Sequence, residues 1–152
     1  MSLQLRKNII DISIHCFIAA VLCSVIYFKT GSARYAFVFL LGSVFIDLDH
    51  LIDHFAYSNN KFSLVDFISS NHCKSGKIFI FFHSWELNIV LFVLAAVFRS
   101  EWLFVLAAGM VVHLATDVIV HKKLVPYFLI YRMAKGFDAK LFGMIERRPE
   151  YR

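Results

Sequence analysis

The chain has 152 residues, 59% of them hydrophobic, with 17 Phe and a mean hydropathy of +0.66. Soluble domains run nearer half apolar, so the excess is too large for one small core and implies lipid as part of the solvent. The net charge of +5 comes from basic residues gathered at segment ends. This suits membrane topology and anionic headgroups, and no basic stripe or binding motif supports a nucleic-acid partner.

The expected fold is all-α: an integral membrane four-helix bundle with an interfacial helical C-terminal tail. Each span needs about 20 mostly apolar residues. The first is expected near Asn8 to Phe28, the second near Arg34 to His54, the third near Lys77 to Phe98 and the fourth near Glu101 to His121. Residues 1–121 then form the four-span domain and 122–152 a basic amphipathic tail. Arg6 and Lys7 before the first apolar run, with Gly31-Ser32-Ala33 after it, also resemble a secretory signal. The length of that run, and Asp11 and His15 within it, favour a retained span.

The joints at Lys29–Ala33 and Arg99–Ser100 are short, which predicts antiparallel neighbours. The connection from Phe55 to Gly76 mixes polar residues with Phe62, Leu64, Val65, Phe67 and Ile68, and reads as a lid or a short surface helix. His72 in it reads as solvated. In the tail, Pro126 can start a helix and Gly136 can break one. Cys16, Cys23 and Cys73 make no CxxC pair; an odd number gives no disulfide framework, and Cys73 suits a reducing cytosolic face. Arg6, Lys7, Lys61, Lys74, Lys77, Lys122 and Lys123 fall on one side. The tail's Arg132, Lys135, Lys140, Arg147 and Arg148 join them. Lys29, Arg34 and Arg99 fall on the other. The positive-inside rule therefore predicts both termini and the middle loop in the cytoplasm.

The most informative residues are ionisable ones inside apolar runs. The run RYAFVFLLGSVFI ends in IDLDHLIDH, which packs Asp47, Asp49, His50, Asp53 and His54 together. Such groups persist in a membrane mainly when they pair, line a wet cavity or hold an ion. Asp and His together are a ligand set for a divalent metal. On the expected topology, His15, the Asp47–His54 cluster, His83 with Glu86, and His113 with Asp117 all reach the cytoplasmic leaflet. Asp47, His50 and His54 fall on one stripe of the second helix, at i, i+3 and i+7. Asp49 and Asp53 lie on the adjoining stripe. Gly109, one turn before His113, can let a neighbouring helix approach.

Taken singly, these residues have plainer readings. His15 alone is a hydrogen-bonded helix contact, and Asp49, Asp53 and His54 can cap the second helix at the water interface. Asp11 can orient the His15 ring. His121, beside Lys122 and Lys123, reads as a snorkelling interface residue. Three Asp at a helix C-terminus oppose the macrodipole, however, and a cation compensates them. The expected ligands are Asp47, His50, His83, His113 and Asp117, with His15 next. Asp49 is the expected general base or ligand of a second ion, and Glu86 the alternative base. One or two divalent ions, zinc foremost, would assist hydrolysis. No Gly-x-Ser-x-Gly elbow is present, which excludes that serine-hydrolase chemistry.

Three other readings stay open: a di-iron carboxylate site, since Asp47-x-x-His50 and His83-x-x-Glu86 approximate its Glu-x-x-His pairs; a metal or proton carrier; and an adaptor with a structural metal. The almost wholly apolar far leaflet argues against a continuous ion path.

The strings Ile14-His15, Ile46-Asp47-Leu48-Asp49-His50, Phe82-His83-Ser84 and His113-Leu114-Ala115-Thr116-Asp117 resemble the membrane-bound metal-dependent hydrolase family, which includes the LexA-binding inner-membrane type. The resemblance covers roughly residues 10 to 121. It implies a multi-pass protein of a bacterial or archaeal inner membrane and a metal-dependent hydrolase. Ile46 stands where many members have Pro, and residues 77–82 lack the His-Arg that many carry before the His-Ser. The order of ligands is also similar in spacing to zinc-dependent phospholipases C, which suggests a phosphoester. The expected partners are membrane lipid and a lipid-linked or small-molecule substrate, and an oligomer is compatible with the chain.

Overall fold

The computed structural model describes residues 3–57, 62–68 and 76–142. Lys61, His72, Cys73, Lys74, Arg147 and Arg148 lie outside the described residues. Every regular element among the described residues is helical. The helices are α1 (Leu3–Thr30), α2 (Ala33–Ser43), α3 (His50–Tyr57), α4 (Leu64–Ile68), α5 (Trp85–Val97), α6 (Glu101–His121) and α7 (Leu129–Ala134). Short 3₁₀ turns cover Phe45–Asp49, Val125–Tyr127 and Ala139–Phe142.

Serines open three of these helices. Ser32, Ser84 and Ser100 sit at the N-caps of α2, α5 and α6, and their hydroxyls accept from Tyr35, Leu87 and Leu103 backbone N–H. Each satisfies one of the amides that a helix start leaves without a partner. Gly31, at φ +66°, ends α1, and its N–H donates to the Tyr27 carbonyl. Only Gly31 and Ser32 separate α1 from α2, and residues 98–100 separate α5 from α6. These are the short joints that the sequence predicts.

Among the described residues, two helices are long and apolar enough to cross a membrane: α1, over Leu5–Thr30, and α6, over Glu101–His121. Only 11% of the most apolar window of α1 is buried inside the protein. Phe17, Phe28 and Ile119 lie largely exposed, as lipid-facing side chains do. The sequence places the fourth span on the residues that α6 occupies.

The second and third expected spans depart from single helices. α2 stops at Ser43, and the chain turns through Phe45–Asp49 before α3, bending by 41° between Ala33–Ser43 and Ile46–Phe55. The bend is set by a contact from α6. The Ser43 carbonyl accepts from His113 Nδ1 at 2.9 Å, while Asp47 N–H turns to the Val44 carbonyl in a tighter ring. Counted as one span, the bent pair is a third crossing. The expected span Lys77–Phe98 is helical only from Trp85. At 1.5 Å per residue, α5 is about 20 Å long, short of a hydrocarbon core of about 30 Å. Residues 76–84 run as an irregular strap, because their amides and carbonyls are taken by side chains from elsewhere.

α2 packs chiefly on α6 and α1, and α5 on α6. The α2–α6 contact is backbone to backbone. A Cβ added at Gly42 would meet the Leu106 carbonyl oxygen at 2.3 Å, and one at Gly109 the Phe39 carbonyl oxygen at 2.5 Å. This small-residue crossing brings His113 beside Ser43. The close approach expected of Gly109 is thus present, with Gly42 as its counterpart. At the other end of these helices Tyr35 donates to Glu101, beside an apolar cleft lined by Ile26, Phe39 and Phe104.

The tail is not one amphipathic helix. Pro126 opens a 3₁₀ turn, α7 has six residues, and Gly136, at φ +63°, follows its end. The tail folds onto the strap: Ile78 N–H donates to the Phe137 carbonyl and Ala139 N–H to Gly76. Ile78, Ile80 and Ala139 form a small buried core with Phe142 against it. Ile130 and Met133 remain exposed on the outer side. In the middle connection, the expected short helix is present as α4, with Leu64 and Val65 exposed and the Ile68 carbonyl accepting from Asn8.

Candidate metal centre

His15, Asp47, His83, His113 and Asp117 come together at one end of the helices. His83 Nε2 lies 3.1 Å from both Asp47 Oδ1 and His113 Nε2, and 3.9 Å from Asp117 Oδ2. His113 Nε2 is 3.4 Å from Asp47 Oδ1 and 3.6 Å from Asp117 Oδ2. His15 stacks on His113 with ring centroids 4.2 Å apart, and its Nε2 lies 3.0 Å from Asp117 Oδ1. His50 stands at the more open side, edge-on to His83, with Nε2 4.0 Å from Asp47 Oδ1.

Two hydrogen bonds set the ring tautomers. His113 Nδ1 faces the Ser43 carbonyl, which can only accept, so this nitrogen carries the proton. His83 Nδ1 faces the Asp49 carboxylate at 3.0 Å and donates to it. In neutral rings both Nε2 atoms then present lone pairs to each other and to two carboxylate oxygens. Four acceptors converge with no donor among them, and only a cation or an added proton relieves that. Bonds of about 2.0–2.1 Å at a tetrahedral ion would set ligand atoms about 3.3 Å apart. The five separations that involve the two imidazoles, 3.1–3.9 Å, are near that value.

Among the described residues, three groups could hold a metal ion: His15, His113 and Asp117; Asp47, His50 and His83; and Asp11, Asp117 and His121. In each, the ligand atoms lie within 4.8 Å of one another. The third group contains His121, which the sequence reads as a snorkelling residue. It instead turns to Asp11, with Nε2 3.4 Å from Asp11 Oδ2. The signal for it was available, because Asp117 and His121 repeat the i, i+4 spacing of Asp11 and His15.

The carboxylates read as base or cap have other partners. Asp49 is 1% exposed, and its Oδ2 also accepts from Phe82 N–H. Asp53, 3% exposed, accepts from Phe79 N–H. Both therefore hold the strap, and Asp49 orients the His83 ring as well. His54 Nε2 accepts from Ser63 N–H. Glu86 belongs to none of the three groups. Its two oxygens accept from Leu129 and Ile130 N–H at the start of α7.

Two residues of the tail, Arg132 and Tyr127, are buried beside the site. Arg132 is wholly buried and donates to the Ile80 and His83 carbonyls. Tyr127 is also buried, near enough to Asp117 to feel its charge. Burial first, and then the Asp117 charge, push its phenol well above the ordinary range, so it stays protonated. Comparison with family models, with curated proteins and with solved structures finds no match to this chain.

Proposed function

We propose that this chain is a membrane-embedded, metal-dependent hydrolase that acts on a phosphoester, lipid-linked in kind, at the cytoplasmic leaflet. One observation carries the reading: Nε2 of His83 and Nε2 of His113 face each other and the Asp47 and Asp117 carboxylates, with both ring tautomers fixed from behind. Backing of a ligand ring by a carboxylate or carbonyl is the usual support of a metal-binding imidazole. The resemblance to the membrane-bound metal-dependent hydrolases agrees with it. Zinc is the proposed ion, given two imidazoles and two carboxylates.

When bound, a divalent cation supplies Lewis acidity, polarising a substrate oxygen and lowering the pKa of water at the site. The chain's own residues do the rest. Asp49 and the Ser43 carbonyl hold the two imidazoles in one orientation. The Asp47 side chain, 38% exposed, and His50 form the open edge where a headgroup and water arrive. His50 is the group placed to take a proton there, since Asp49 and Glu86 are engaged with backbone amides. The apolar flanks of α1 and α6 suit a lipid-borne substrate.

The membrane arrangement belongs to the same proposal: four crossings of a bacterial or archaeal inner membrane, with both termini cytoplasmic. The strap adds depth to the short α5. Irregular backbone is tolerated at membrane depth where protein satisfies it, as Asp49, Asp53 and Arg132 do here. Reporters that work on one side only, fused to each terminus in turn, should both register the cytoplasm. A far-side C-terminus would refute this topology.

For activity, detergent-purified protein loaded with zinc should hydrolyse a phosphoester from a panel that includes lipid phosphates, and a chelator should abolish turnover. A metal-loaded protein that hydrolyses no phosphoester, acyl ester or amide, yet moves metal or protons across sealed vesicles, would make it a carrier.

A further inference from the structure

The site just described leaves Asp11 and His121 without a role, yet they face it. α1 and α6 each present an Asp–His pair one turn apart: Asp11 with His15, and Asp117 with His121. The four side chains meet. His121 Nε2 is 3.4 Å from Asp11 Oδ2 and 4.0 Å from Asp117 Oδ1, and His15 Nε2 is 3.8 Å from Asp11 Oδ1.

Two atoms here lack a hydrogen bond although buried, Asp11 Oδ1 and His15 Nε2. His15 is 6% exposed. Its Nε2 is near Asp117 Oδ1 but out of line for a directional bond. Buried polar atoms cost free energy unless something satisfies them. An ion between α1 and α6 does so for both at once, because coordination does not require the hydrogen-bond angle.

Asp117 connects this place to the first. Its Oδ2 faces His83 and His113, while its Oδ1 faces His15 and His121. A carboxylate whose two oxygens look into different ligand groups is placed to bridge two ions.

We infer that Asp11, Asp117 and His121, with His15 beside them, form a second divalent-cation position that shares Asp117 with the first. Two carboxylates and imidazole nitrogen suit zinc or manganese. This rests on the metal reading of the first site, and it gives the proposed phosphoester chemistry a two-ion centre. Two ions a few ångströms apart can stabilise both the attacking and the leaving oxygen of a displacement.

The test is zinc stoichiometry of the full chain in detergent, by elemental analysis after removal of loose metal. Wild type should hold two ions per chain. Asp11→Asn and His121→Gln should each hold one, with His83 and His113 still binding theirs. Asp117→Asn should weaken both. Manganese-loaded wild type should give an exchange-coupled paramagnetic resonance signal, which His121→Gln converts to that of an isolated ion. Asp11 lies within a helix contact and His121 at a helix end, so the two variants differ in their risk to folding. Size-exclusion profiles identify a misfolded one.

If wild type holds a single ion that His83→Ala removes and His121→Gln does not, the second position is refuted and the first stands. Retention of two ions in both Asp11→Asn and His121→Gln also refutes it. Two ions without turnover on any phosphoester would instead refute the hydrolase reading and leave the second position intact. No bound zinc at all would refute both.

Discussion

If the proposed centre holds zinc, His83→Ala and His113→Ala are expected to abolish its binding, while Asp49→Asn lowers the affinity about 10–100-fold. The difference follows from what each residue does. His83 and His113 supply the two nitrogens at the centre of the four-acceptor cluster, 3.1 Å apart. Removing either leaves too few ligands, and the Asp47 and Asp117 charges without compensation. Asp49 stands behind His83, accepting from Nδ1. An amide there can still accept a hydrogen bond, but it drops the charge that makes the ring a stronger donor to an ion. Competition against a chelator of known zinc affinity measures all three. Affinity in wild type should also weaken as pH falls, since protons compete with the ion for the ligand atoms. Equal affinity in wild type and His113→Ala would mean that the cluster shares a proton, not a metal.

The helical class and the gathering of Asp and His at one end were legible in the sequence because both follow from local spacing. Asp47, His50, His83, His113 and Asp117 sit at the ends of apolar runs that alternate in direction. The limits of α6 were legible because Ser100 and Lys122 bracket an unbroken apolar run, with Ser100 capping its start. What escaped was everything decided across the chain. No local signal says that residues 77–84, as apolar as a helix, run as a strap. Their course is set by Asp49, Asp53 and Arg132, which are distant in sequence and take their amides and carbonyls. The break after Ser43 has the same origin, because its carbonyl is claimed by His113. The tail was misread for a related reason. Its basic and aromatic residues have the composition of an interfacial helix, but composition does not reveal that one arginine turns inward. His121 was legible in principle, through the matched i, i+4 pairs, but its flanking lysines suggested an interface residue.

That inward arginine gives the other large effect. Arg132→Met should destabilise the protein and weaken zinc binding together, although Arg132 touches none of the ligand atoms. The guanidinium is buried and donates to the Ile80 and His83 carbonyls. Methionine fills similar volume but leaves both carbonyls without a partner, at about 1–3 kcal/mol each. One of the two belongs to the ligand His83, so the strap loosens where the ring must be held. A loss of zinc affinity of about tenfold or more is then expected, in the range for residues that support a ligand from behind. Arg132→Lys should recover part of the stability, since one ammonium can reach a carbonyl but cannot span two as the planar fork does. Lys135→Met, at an exposed position on the same tail, is the comparison. Thermal unfolding in detergent and chelator competition read the two effects separately. If Arg132→Met melts and binds zinc like Lys135→Met, the tail is only an appendage, and the strap holds His83 without it.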